Sequence, residues 1–87
     1  MLTVTETALE RLSQKLVGKK AAEEMAMRFT KKQGGWQLRL DNQRPDDTVF
    51  AHRGRNVLLL DQAVAQALSN RTLDTRSTAG GPRLTLL

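Results

Sequence analysis

Few side chains in this sequence can do chemistry, and their spacing limits what that chemistry is. One histidine, His52, is available as a base or a metal ligand. Ser13, Ser69 and Ser77 carry hydroxyls, but no motif sets any of them beside a base, so no catalytic residue is expected. Asp46 and Asp47 form an acidic pair. They lie at the far end of an extended stretch from His52, about four residues at ~3.3 Å each, too far to share one ion with it. A single imidazole without partners is a poor metal site. His52 therefore reads as a surface residue of a hairpin turn, and Asp46-Asp47 as turn residues after Pro45. Cysteine is absent, which removes disulfides, thiolate nucleophiles, zinc–thiolate sites and thiolate-ligated iron–sulfur clusters. No metal site and no cofactor are expected.

Lys31-Lys32-Gln33-Gly34-Gly35-Trp36 is the other stretch with binding character. A double glycine between bases suggests an anion loop. Yet it leads into a strand pattern rather than a helix N-terminus, and it lacks the Gly-Lys-Ser/Thr ending of a phosphate loop. It reads as a tight β-connection. Lys31, Lys32, Gly34, Gly35 and Trp36 together make a candidate contact patch for an acidic protein partner, since Trp beside bases is a usual hot-spot composition. The chain carries 14 Lys+Arg against 9 Asp+Glu, a net charge of +5. That excess keeps weak nucleic-acid binding open as an alternative. Single-strand binders interleave bases with exposed aromatics, however, and Phe29, Trp36 and Phe50 all sit in strand-like patterns. Nucleic acid is not the expected partner.

The elements that hold these residues follow from periodicity. Thr5 can N-cap a helix, with Glu6 in its first turn; Thr7 with Glu10 is an alternative capping box. Ala8, Leu9, Leu12 and Leu16 form one apolar face, and Arg11, Lys15 and Lys19 a solvated basic face. Gly18 is placed to end the helix as a C′ glycine. Met25, Met27 and Phe29 alternate with polar or small residues, giving a strand from about Met25 to Thr30. Trp36, Leu38 and Leu40 alternate as far as Asp41 and give a second. A turn around Pro45 leads to a third strand at Thr48–Ala51. His52-Arg53-Gly54 turns it into Arg55–Leu60, whose run Val57-Leu58-Leu59-Leu60 should be central. Asp61 can N-cap a short helix through Leu68. A brief strand at Thr72–Thr75, a loop from Ser77 to Pro82 and a last strand at Arg83–Leu86 complete the order. The expected fold is mainly β with two helices: a small, twisted, mostly antiparallel sandwich or half-barrel in a single domain spanning residues 1–87. No apolar run reaches the ~20 residues of a membrane span, and the N-terminus lacks the layout of a signal peptide, so the expected location is cytoplasmic.

This order of elements resembles the HesB-like domain of the A-type iron–sulfur cluster carriers. The resemblance rests on LTVTETALERL, on RPDDTVFAHRGRNVLLLD (Arg44 to Asp61), on LSNRTLD and on GGPRLTLL. It implies the HesB-like fold. The family carries a cysteine in a Gly-Cys-Ser-Gly loop before the aromatic strand, where this sequence reads Lys32-Gln33-Gly34-Gly35-Trp36. The family's Cys-Gly-Cys belongs beyond the last strand and has no counterpart up to Leu87. The resemblance thus implies a degenerate, cysteine-less relative that holds no thiolate-ligated cluster. Such a protein would act by protein–protein contact as a regulator, scaffold or adaptor, as a monomer or weak homo-oligomer. The alternative that follows from ancestry is an iron- or cluster-associated assembly protein using oxygen and nitrogen ligands. The partner implied is an iron–sulfur assembly protein or another acidic protein.

Overall fold

The computed structural model describes all 87 residues, Met1 to Leu87. The chain runs β1 (Thr3–Val4), α1 (Glu6–Gly18), β2 (Met25–Lys32), β3 (Gly35–Asn42), β4 (Thr48–His52), β5 (Arg55–Leu60), α2 (Gln62–Ala67), β6 (Thr72–Thr78) and β7 (Gly81–Leu86). Seven strands and two helices agree with the expected mainly-β class. They form two sheets, β3-β2-β5-β4 and β1-β6-β7. Neither sheet closes on itself, so β3 and β4 are free edges of one, and β1 and β7 of the other.

Three of the five strand pairings are antiparallel hairpins: β2–β3, β4–β5 and β6–β7. The other two, β1–β6 and β2–β5, are parallel. Alternation marks the face a strand buries, not the direction of its neighbour, so the parallel pairs carry no local sequence signal. The Val57–Leu60 run lies between β2 and β4, and all four residues are fully buried.

Both helices begin as their sequences dictate. The Thr5 hydroxyl oxygen accepts from the Ala8 N–H at 3.2 Å, and the same hydroxyl donates to Asp74 Oδ1 at 2.7 Å, tying the start of α1 to β6. Asp61 Oδ1 accepts from the Val64 N–H at 2.8 Å and caps α2. Ala8, Leu12 and Leu16 turn one face of α1 into a core shared by both sheets, with Met27, Phe29, Val57, Leu58, Leu60 and Leu73.

The end of α1 differs from expectation. Gly18 is still helical, and Lys19 is the cap residue. Lys20 takes the left-handed conformation at φ 52°. The Lys20 N–H donates to the Val17 carbonyl and the Ala21 N–H to the Leu16 carbonyl, both at 3.0 Å. That is the Schellman arrangement, with Lys20 where glycine is favoured. The capping bonds and the contact of Ala21 with the core outweigh the strain.

Five strands, β2, β3, β4, β6 and β7, are longer than expected. β2 continues to Lys32 and β3 begins at Gly35, so only Gln33-Gly34 remains as the connection. The expected Ser77–Pro82 loop is instead the tip of the β6–β7 hairpin, paired up to Thr78 with Gly81. Its residues are small or polar, and this part of the hairpin is exposed.

Candidate functional site

The Lys31–Trp36 patch is the closing end of the β2–β3 hairpin. Lys32 pairs with Gly35 and Lys31 with Trp36. Gly34 sits at φ 90°, which its missing side chain permits. Trp36 is half-buried rather than exposed. Its ring lies 5.2 Å from the Phe29 ring at a 42° tilt, and Lys31 Nζ stands 5.4 Å from its centroid. The tip available to a partner is Lys32, Gln33, Gly34 and Gly35, all exposed, with the Lys31 ammonium held over the indole.

Trp36 also links this tip to a cleft between the two sheets. The apolar part of the cleft, about 200 Å³, is lined by Phe29, Trp36, Leu38, Leu73, Leu84 and Leu86. It continues into a space of about 430 Å³ where Arg11, Lys15 and Arg83 join Trp36, Leu38 and Leu84. The basic face of α1 is thus not fully solvated: Arg11 and Lys15 are partly buried along this cleft. Burial, followed by the charges of Arg11, Lys19 and Arg83, pushes the Lys15 amine below its ordinary value. The Arg11 Nε–H is out of solvent and has no acceptor.

The residues considered for metal or acid–base chemistry go elsewhere. Asp47 is not an exposed turn residue: its side chain is 2% exposed. Arg28, 3% exposed, donates from its two terminal nitrogens to both Asp47 oxygens at 2.9 and 2.6 Å. Its Nε–H donates to Asp41 Oδ2 at 2.6 Å, and one terminal nitrogen also donates to the Asn42 carbonyl at 3.2 Å. The Arg44 N–H adds a bond to Asp47 Oδ2 at 2.8 Å. Hydrogen bonds from Arg28 hold the Asp41 and Asp47 carboxyls below their usual range, and those same bonds, Asp47 first, raise Arg28. The network staples the β3–β4 connection over the outer face of β2. Both carboxylates are consumed by it and are not free for a metal.

His52 ends β4, and its side chain is only 9% exposed, not the surface turn residue expected. Its Nδ1 faces Glu6 Oε1 at 3.4 Å. It borders an open groove of about 560 Å³ with Glu10, Ser13, Arg53 and Arg55. Ser13 shares that groove, but no hydrogen bond joins it to His52. Ser69 and Ser77 lie away from it. Nowhere do three or more His, Asp or Glu side chains gather as a metal site would require.

No family model matches the chain, and no curated protein matches it. Solved structures do. SufA of Escherichia coli, described as involved in the biosynthesis of iron–sulfur clusters, superposes with a TM-score of 0.74 at 24% identity, over 99% of this chain and 83% of its own. IscA, solved with a [2Fe-2S] cluster, gives 0.63 at 17% identity over 100% and 84%. A protein from Aquifex aeolicus gives 0.63 at 20% identity over 99% and 89%. The chain has the HesB-like fold. The resemblance read from the sequence holds at the level of architecture across nearly the whole chain. Where that resemblance places the carriers' first cysteine loop, this HesB-like chain has the two-residue turn Gln33-Gly34, and its 87 residues contain no thiol.

Sequence reasoning missed two features: the Arg28 network and the basic–apolar cleft. A signal existed for the first. Arg28 sits in a strand that also holds the small residue Ala26 and the large apolar Met27 and Phe29. A lone arginine in an inner strand needs carboxylates nearby. The cleft had none, because it joins α1, β3 and β7 from three distant parts of the chain.

Proposed function

We propose that this protein is a cluster-free counterpart of the iron–sulfur carriers, working by protein–protein contact as an adaptor or regulator rather than as an enzyme. The carrying observation is a carrier-like fold without any cysteine, with a two-residue β-turn at the place where the resemblance puts the cysteine loop. A cluster held by these residues would need thiolates the sequence lacks, or a substitute set of carboxylates and imidazole. Asp41 and Asp47 are engaged by Arg28, and Arg44 also pairs with Asp41 at 3.1 Å. The exposed Lys32–Gly35 tip, with Lys31 and Trp36 behind it, offers a basic contact surface to an acidic partner. No helix is long and apolar enough to cross a membrane, and the reading places the protein in the cytoplasm beside assembly proteins.

The test is anaerobic reconstitution with ferrous iron and sulfide, followed by desalting, visible absorbance and iron analysis. The expected result is no charge-transfer absorbance and far less than one iron per chain. A stable, stoichiometric cluster would overturn the reading.

A further inference from the structure

The cleft between the sheets has the form of an incomplete strand position. β3 and β7 are each the last strand of their sheet, and each presents an unpaired edge. Their side chains line the same cleft: Trp36 and Leu38 from β3, Leu84 and Leu86 from β7. The two edges are not equally available. β7 carries Pro82, which lacks an N–H and blunts an edge. β3 runs eight residues, Gly35–Asn42, without proline. Every second residue on it directs its N–H and C=O away from β2, into the space a further strand would occupy.

We infer that this cleft binds an extended acidic peptide segment of a partner protein, which adds as a strand to the free edge of β3. The inference rests on the proposal that the protein acts by contact. Main-chain bonds to β3 would supply the pairing, and alternate aliphatic side chains would enter the pocket of Phe29, Trp36, Leu38, Leu73, Leu84 and Leu86. Charge selects the chemistry of the occupant. Arg11, Lys15 and Arg83 stand at the wider end of the cleft without an acidic residue among its lining groups. Lys15 is held below its ordinary value by burial and by its basic neighbours, and the Arg11 Nε–H has no acceptor. A carboxylate placed there relieves the mutual repulsion and accepts that bond. An aliphatic run with acidic residues at one end satisfies both parts of the cleft. A second copy of this basic chain would bring like charges to it.

The probe is the peptide acetyl-EEVTVTV-amide, titrated to millimolar concentration into the ¹⁵N-labelled full chain. Its charge-reversed form, acetyl-KKVTVTV-amide, and oligo(dT) of similar length are titrated in parallel. The expected result is saturable shift changes along residues 35–42 and 83–86, with slowed amide exchange on β3. Binding should weaken with salt, and by about tenfold in Arg83→Glu and in Lys15→Glu/Arg83→Glu. Both sites lie on the surface, and the unchanged remainder of each spectrum reports folding. Arg53→Glu, in the exposed β4–β5 turn and outside the lining of the cleft, should leave the affinity unaltered. The inference is overturned by any of several outcomes: no shift changes, changes confined to residues 31–35, equal binding of the lysine peptide, or tighter binding of oligo(dT) to the same cleft. Concentration-dependent pairing of the β3 edge with a second copy before peptide is added also overturns it. None of these outcomes bears on whether the chain can hold a cluster, which the reconstitution decides separately.

Discussion

Replacing Arg28 by methionine should strongly destabilise the protein, and the geometry gives the reason. Arg28 makes four hydrogen bonds, three of them to the carboxylates of Asp41 and Asp47. The Asp47 side chain is 2% exposed, and without Arg28 only the Arg44 N–H remains on it. Removing one member of a buried pair leaves an uncompensated charge and costs about 3–5 kcal/mol. A domain of this size has roughly 4–13 kcal/mol in total. The midpoint of thermal unfolding should fall by roughly 20 °C. Urea unfolding at neutral pH, followed through the emission of Trp36, the single tryptophan, gives the number directly.

The pH dependence separates this cause from simple loss of packing. In the parent protein Asp41 and Asp47 titrate below their unfolded values. Their contribution is fully present above about pH 4 and is lost as pH falls through the lowered folded values. In Arg28→Met the buried, unpaired Asp47 should titrate above its unfolded value. Protonation then relieves it, so the variant should recover part of its deficit on mild acidification while the parent does not. Arg28→Met/Asp47→Leu, which removes both charges, should regain most of the loss. A deficit under about 1 kcal/mol in Arg28→Met, or a double variant no more stable than the single one, would refute the reasoning.

Other expectations concern helix ends and turns. Gly18 is helical with open space around the position of a Cβ, and Lys20 is left-handed. Gly18→Ala and Lys20→Gly should each therefore raise stability by about 0.5–1 kcal/mol in urea unfolding. Thr5→Ala removes both the α1 cap and a bond to Asp74, and should cost about 1–2 kcal/mol in the same assay. Arg53 takes φ 52° before Gly54 in the two-residue β4–β5 turn; Arg53→Asn should raise the thermal midpoint by a few degrees, as Asn-Gly suits that turn.

What the sequence disclosed was local, and what it concealed joins distant parts. Thr5 and Asp61 identified themselves as caps because a cap is decided within three residues. The burial of Trp36, Leu38 and Leu40 on one face and the centrality of Val57–Leu60 followed from alternation and from its absence. Gly18 misled because glycine advertises a helix end more loudly than the bonding that fixes it. The chain runs two residues further and forces a lysine into the glycine position. Asp47 looked like any aspartate after a proline; its partner lies 19 residues away in β2. The parallel contact of β2 with β5 was equally silent, since a strand's pattern does not name its neighbour.

The same distinction bears on function. The fold of SufA is matched over 99% of this chain at only 24% identity. The parts that maintain it are the helix caps, the shared core and the central β5. The hairpin tip where the resemblance puts a cysteine needs none of these, so a Gly-containing turn there costs the fold nothing. The Arg28 network then acquires a second consequence. By clamping Asp41 and the β3–β4 connection to β2, it fixes the far end of β3 while the Gly34 turn fixes the near end. The open side of β3 lies next to a basic and apolar cleft. An uncovered edge strand is a liability in a protein with no use for it. β3 has the charged side chains Arg39 and Asp41 but no proline, whereas β7 across the cleft carries Pro82. That asymmetry is in keeping with the pairing inferred for the β3 edge, which begins at the Lys32–Gly35 tip.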